Sequence, residues 1–89
     1  DAEKKALEAE KAAAEAENLV LRTREKLQQA REKTRASAGD QSAVSQLEAE
    51  LRDAEKLAEN AVRRSAKARV KAENAARAVS DLDAQNENQ

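Results

Sequence analysis

Proline, cysteine, methionine, histidine and every aromatic residue are missing from this chain, and glycine occurs once, as Gly39. Each absence removes a class of structure or chemistry. Without cysteine there is no disulfide to staple a small fold, a condition compatible with any compartment. Loss of both His and Cys takes away the best metal ligands, and helical carboxylate cages normally recruit a Glu-x-x-His pattern. With Tyr gone as well, the candidates for a nucleophile or tunable base shrink to Ser, Thr, Lys, Asp and Glu scattered around narrow helices with no interior in which to shift a pKa. No aromatic ring is available to stack on a base. No apolar run approaches the roughly 18 residues that a membrane span requires. Net charge is −1 from 17 basic and 18 acidic residues, so no global field attracts nucleic acid or an anionic surface. Catalytic, cofactor-binding and metal-binding residues are therefore expected to be none, with no nucleic acid, no transmembrane insertion and no small-molecule substrate.

What remains is alanine, leucine, valine and charge, the last at 39% of 89 residues. That is the profile of long helices and coiled coils. Disorder has a similar polarity, and periodicity separates the two. Ala2, Ala6, Ala9, Ala13, Ala16, Val20, Thr23, Leu27, Ala30, Thr34 and Ser37 follow one another at spacings of three and four. Beyond Gly39 the same spacing resumes through Val44, Leu47, Leu51, Ala54, Ala58, Ala61, Ser65, Ala68, Ala72, Ala75, Val79 and Leu82. Two heptad seams flank one short interruption.

The interruption reads as a turn. Gly39 suits the left-handed residue that ends a helix, and Asp40 or Ser42 can cap the next one. Continuing one helix through this stretch would place Ser37 and Val44 in different heptad phases, whereas a turn removes that conflict. The expected fold is all-α: an antiparallel two-helix coiled-coil hairpin with an Ala-rich heptad seam. Helix one is expected over 1–37, a turn over 38–42, helix two over 43–85, and a frayed tail over 86–89. The chain reads as a single domain cut from a longer protein, because it begins without Met and helix two outlasts helix one.

Folding Ser37 opposite Val44 puts Thr34 against Leu47, Leu27 against Ala54, Thr23 against Ala58, Val20 against Ala61 and Ala6 against Ala75. Large then faces small, as interdigitation requires. Flanking charges agree: Arg31 meets Glu48, Arg24 meets Glu55, Glu10 meets Arg69 and Lys33 meets Glu50, with no like pair opposed. Blocks agree as well. Residues 1–17 carry six acids and three bases against six bases and one acid in residues 63–79, and residues 22–35 carry six bases and two acids against five acids and two bases in residues 46–59. Such exposed pairs contribute only about 0.2 to 1 kcal/mol each, so their role is to set orientation and register.

Three features invite a functional reading. The turn Ala38, Gly39, Asp40, Gln41 and Ser42 is a possible partner-binding tip on a rigid scaffold, although turn geometry accounts for every residue in it. Leu7, Ala14 and Leu21 recur every seven residues beside the main seam, with Leu19 nearby, and form a possible lateral partner face broader than one helix can cover. The basic run "RRSAKARVK" at 63–71 is expected to be solvated or paired with the acidic first arm. Seam hydroxyls of Thr23, Thr34 and Ser65 are expected to bond back to the carbonyl one turn earlier.

These features favour a non-enzymatic protein-binding or spacer module of a larger protein. The competing reading is a self-associating structural rod, forming a swapped or four-helix dimer.

Overall fold

The computed structural model describes the backbone of residues 1–37 and 41–87 and the side chains of residues 1–36 and 41–82. Two helices account for almost all of it: α1 (Ala2–Ser37) and α2 (Ser42–Glu87). They pack against each other along their length, giving a rod only 14 Å across in either short direction. At 1.5 Å per residue, the 36 residues of α1 run about 54 Å and the 46 residues of α2 about 69 Å. The chain is an all-α helical hairpin. Its helices are antiparallel, because Arg24 in the later half of α1 bridges Glu55 early in α2, while Glu10 near the start of α1 bridges Arg69 far along α2.

Both starts have local causes. The Asp1 carboxylate accepts the N–H of Lys4 at 3.0 Å and its carbonyl accepts the N–H of Lys5 at 3.1 Å, so Asp1 is the N-cap of α1. At the start of α2 the N–H of Ser45 donates to the carbonyl of Gln41 at 3.0 Å. Ser42, the second of the two cap candidates, is the first residue of α2, directly after Gln41. The parts of the expected turn at Ala38, Gly39 and Asp40 lie outside the described residues. The α2 backbone remains helical to Glu87, two residues past its expected end.

Both seams are where the spacing places them. On α1, Ala6, Ala13, Val20, Thr23 and Leu27 are buried, and Ala2, Ala9, Ala16, Ala30 and Thr34 are half-buried. On α2, Val44, Ala54, Ala58 and Ala72 are buried, and Leu47, Leu51, Ala61, Ser65 and Ala68 are half-buried. The hydroxyls on this seam are satisfied internally: Thr23 donates to the Leu19 carbonyl at 2.8 Å, Thr34 to that of Ala30 at 2.9 Å, and Ser65 to that of Val62 at 2.7 Å. A buried hydroxyl without such a partner would cost on the order of 1–3 kcal/mol.

Register departs from the expected pairing by one step of the seam. Val20 clusters with Ala54 and Ala58, with Ala16 and Leu51 packed against them. Val20 was expected opposite Ala61. At the open end Ala6 is fully buried while Ala75, its expected partner, is exposed, and Ala72 is the last buried residue of α2 among those described. Near the turn Thr34 shares one groove with Val44 and a second with Leu47, its expected partner, so the two alignments are not distinguished there. A seam built mostly of alanine allows this slip, because Ala faces Ala at several offsets and the large-against-small rule discriminates only where Val or Leu is present. Beyond Ala72, α2 carries its stripe into solvent, with Val79 and Leu82 each 59% exposed.

Candidate functional site

The hairpin has two edges, one on each side of the seam, and the register decides what each presents. On the first edge the charges neutralise. Arg24 lies 3.5 Å from Glu55. Arg69 spreads its guanidinium over two carboxylates of α1, bonding Glu10 through one nitrogen and Glu3 at 2.9 and 3.1 Å through the other. These bonds, Glu10 first and then Glu3, raise the already high pKa of Arg69, so it stays charged under all ordinary conditions. Among the described residues no ion pair joins Arg31 to Glu48, so the flanking pattern is realised at Arg24 and Arg69 and not at Arg31.

Leu21 lines a shallow groove on this edge with Glu17, Val20, Arg24, Glu55 and Ala58. Leu7, Ala14 and Leu21 share one exposed stripe; Leu7 is 56% and Leu21 55% exposed. Leu19 is exposed as well, but lies on the other side of Val20 by helical spacing. The proposed lateral face is thus exposed at all four positions. Three further apolar side chains that sequence reading did not single out, Leu57, Val62 and Val70, are exposed on α2. They fall outside its seam and show no period of their own, so no pattern marked them. At the tip, Gln41 and Ser42 are exposed and Gln41 closes a small groove with Arg31, Thr34, Arg35 and Val44.

On the second edge, toward the open end of the hairpin, one cluster of cations is not neutralised by ion pairs. The register brings Lys5 of α1 beside Arg64, Lys67 and Lys71 of α2 around a groove of about 470 Å3 that also includes Asp1, Ala2 and Ala68. Among the described residues none of these four cations makes an ion pair. The carboxylate of Asp1 is engaged in capping α1. A second groove adjoins the first, sharing Lys5 and Arg64 and adding Glu8, Ala9, Ala12 and Ala61. The basic run at 63–71 is accordingly divided. Arg69 crosses to the acidic arm, Arg63 ties to Glu59 one turn back at 2.6 Å, and Arg64, Lys67 and Lys71 border the groove with Lys5.

Among the described residues no group of His, Cys, Asp or Glu is clustered to hold a metal ion, and no helix is long and apolar enough to cross a membrane. Comparison with known proteins finds no matching family, no matching curated protein and no matching solved structure.

Proposed function

We propose that this hairpin is a non-enzymatic protein-binding module that also acts as a spacer, receiving partner helices along its sides and holding them at a fixed place on a rigid rod. One observation carries the reading. Eight large apolar side chains, Leu7, Leu19, Leu21, Leu57, Val62, Val70, Val79 and Leu82, are exposed, against three, Val20, Leu27 and Val44, that are buried. Scattered surface leucines are ordinary on a globular domain. An exposed set larger than the buried one, on a rod two helices wide, supports a surface meant for further packing. The tip is the weaker candidate, since backbone geometry accounts for Gln41 and Ser42, and Ala38, Gly39 and Asp40 lie outside the described residues.

Self-association is the second reading, favoured by the thinness of the core. With alanine filling most seam layers, apolar burial at about 25 cal/mol per Å2 provides little stabilisation. A second copy laid on the Leu7, Ala14, Leu21 stripe would add to it as a four-helix dimer. Sedimentation equilibrium of the chain and of a Leu7→Gln/Leu21→Gln variant separates the two. The first reading expects 9.7 kDa for both, and binding of an uncharged Leu-Ala amphipathic peptide by the parent that the variant loses. Twice that mass for the parent alone transfers the function to self-assembly. A monomer that binds no helix under any condition removes the protein-binding reading.

A further inference from the structure

We propose that the second edge of the hairpin is a docking groove for an acidic amphipathic helix of a partner protein, with an alanine floor and a cationic rim. The inference rests on the protein-binding reading and names the chemistry of the partner. Three observations point to it.

First, positive charge is concentrated and in excess, with Asp1 the one acid among the lining residues. Lys5, Arg64, Lys67 and Lys71 border one groove without an ion pair among the described residues, while Arg69, on the same stretch of α2, holds two glutamates. Glu8, the acid in the adjoining groove, bridges neither Lys5 nor Arg64. Like charges brought together on a narrow rod repel one another, and an anionic occupant converts that repulsion into attraction.

Second, the floor suits a helix. Ala2 and Ala68 in the first groove continue into Ala9 and Ala61 in the second, so the trough runs along the rod between two helices with no large side chain on its base. Small residues allow the backbone of a third helix to approach near the roughly 8 Å lower limit of helix packing. Third, Arg64, Lys67 and Lys71 are spaced by three and four residues, the spacing of one helical stripe. A partner helix lying alongside with Glu or Asp at the same spacing sets acid against base at each turn. Phosphate-bearing polymers also answer positive charge, but a chain without aromatic residues offers no surface for base stacking.

The test is fluorescence anisotropy with a labelled peptide of three Glu-Ala-Ala-Glu-Ala-Ala-Leu repeats, against the parent chain and two charge-matched variants. Lys67→Glu/Lys71→Glu alters the rim, and Lys11→Glu/Arg22→Glu alters exposed positions of α1 outside the groove. The expected result is binding that weakens with salt, falls about tenfold or more in the rim variant, and is nearly unchanged in the control. Lys67→Gln/Lys71→Gln, with helicity followed by circular dichroism, provides the same comparison should the reversed pair disturb folding. Equal losses in rim and control variants, or no binding at low salt, overturn the proposal. Tighter binding of inorganic polyphosphate or of a DNA duplex also overturns it, reassigning the rim to phosphate. The same peptide with Gln for Glu separates failures: binding of that probe, indifferent to Lys67 and Lys71, sinks the cationic groove while the broader protein-binding reading stands.

Discussion

Val20 of α1 packs against Ala58 of α2 in the middle of the rod, and this contact defines how the two helices are aligned. Val20 is 7% exposed and Ala58 8%. Val20→Ala removes about two methylene equivalents from a layer that alanine cannot refill. The expected loss is roughly 1 to 2 kcal/mol, seen as a fall of several degrees in the melting temperature. Ala61→Gly serves as the comparison because it sits in a half-buried layer, and its cost, about 1 kcal/mol, comes mainly from helix propensity with a smaller part from the lost methyl. Val20→Ala leaving the melting temperature unchanged would place Val20 outside the core.

Arg24 and Arg69 perform the same bridging with different geometry. Arg24 meets one carboxylate at 3.5 Å on an edge where both partners are about half exposed. A charge-reversal cycle of Arg24→Glu and Glu55→Arg is expected to show a coupling of about 0.2 to 1 kcal/mol, with the double variant recovering most of the loss. Strict additivity means the two do not interact. Arg69 bonds two carboxylates through a planar fork, so Arg69→Ala is expected to lower the melting temperature more than Arg24→Ala does. Arg69→Lys recovers only part, since an ammonium is a point charge rather than a fork. Full recovery by lysine would show that only the charge matters there.

Thr23 is the one buried polar residue of the seam among the described residues, and its hydroxyl is spent on the carbonyl of Leu19. That carbonyl lies within the helix and has its own backbone donor, so removing the hydroxyl leaves no orphan. Thr23→Val keeps the shape and is expected to be neutral or to stabilise by up to about 1 kcal/mol. Thr23→Leu adds volume to a close-packed layer and is expected to destabilise by about 1 to 3 kcal/mol. A stabilising leucine, read by thermal melts, would mean that the helices are further apart than this packing allows.

The described stripe of α2 beyond Ala72 is not covered by α1. Residues 44–72 carry the buried seam, whereas Ala75, Val79 and Leu82 are exposed on the same stripe. Amide hydrogen exchange on the isolated chain is expected to be slow across 44–72 and faster by orders of magnitude from about 76 onward, where helix opening needs no separation of the arms. Uniform protection along α2 would reveal a covering surface, such as a second copy.

The seam was legible from spacing alone, because burial of one helical stripe every three or four residues is a property of the helix and needs no partner. Every expected seam position of α1 with a described side chain is buried or half-buried, and so is α2 up to Ala72. Orientation was legible too, from opposed charge blocks that antiparallel packing neutralises. Register was not. Ala6, Ala9, Ala13 and Ala16 can face Ala61, Ala68, Ala72 or Ala75 with nearly equal contact, and Arg24 can reach Glu55 in either alignment. The cationic groove at the open end was hidden for the same reason. Arg64, Lys67 and Lys71 form a visible stripe in the sequence, but their nearness to Lys5 depends on the one-step slip. The cap at Asp1 had a local signal, an acid ahead of an alanine-rich helix, whose carboxylate needed only the N–H of Lys4.

The most direct measurement is the rate of intrachain disulfide formation in two double-cysteine variants, Val20→Cys/Ala58→Cys and Val20→Cys/Ala61→Cys, oxidised at low concentration and read by mass and by non-reducing gels. The hairpin described here predicts that the first closes faster and remains a species of the single chain's mass, 9.7 kDa. Faster closure of the second would restore the alignment expected from large-against-small pairing. Cross-linked dimers from both would contradict the hairpin itself and show that the arms pair between chains.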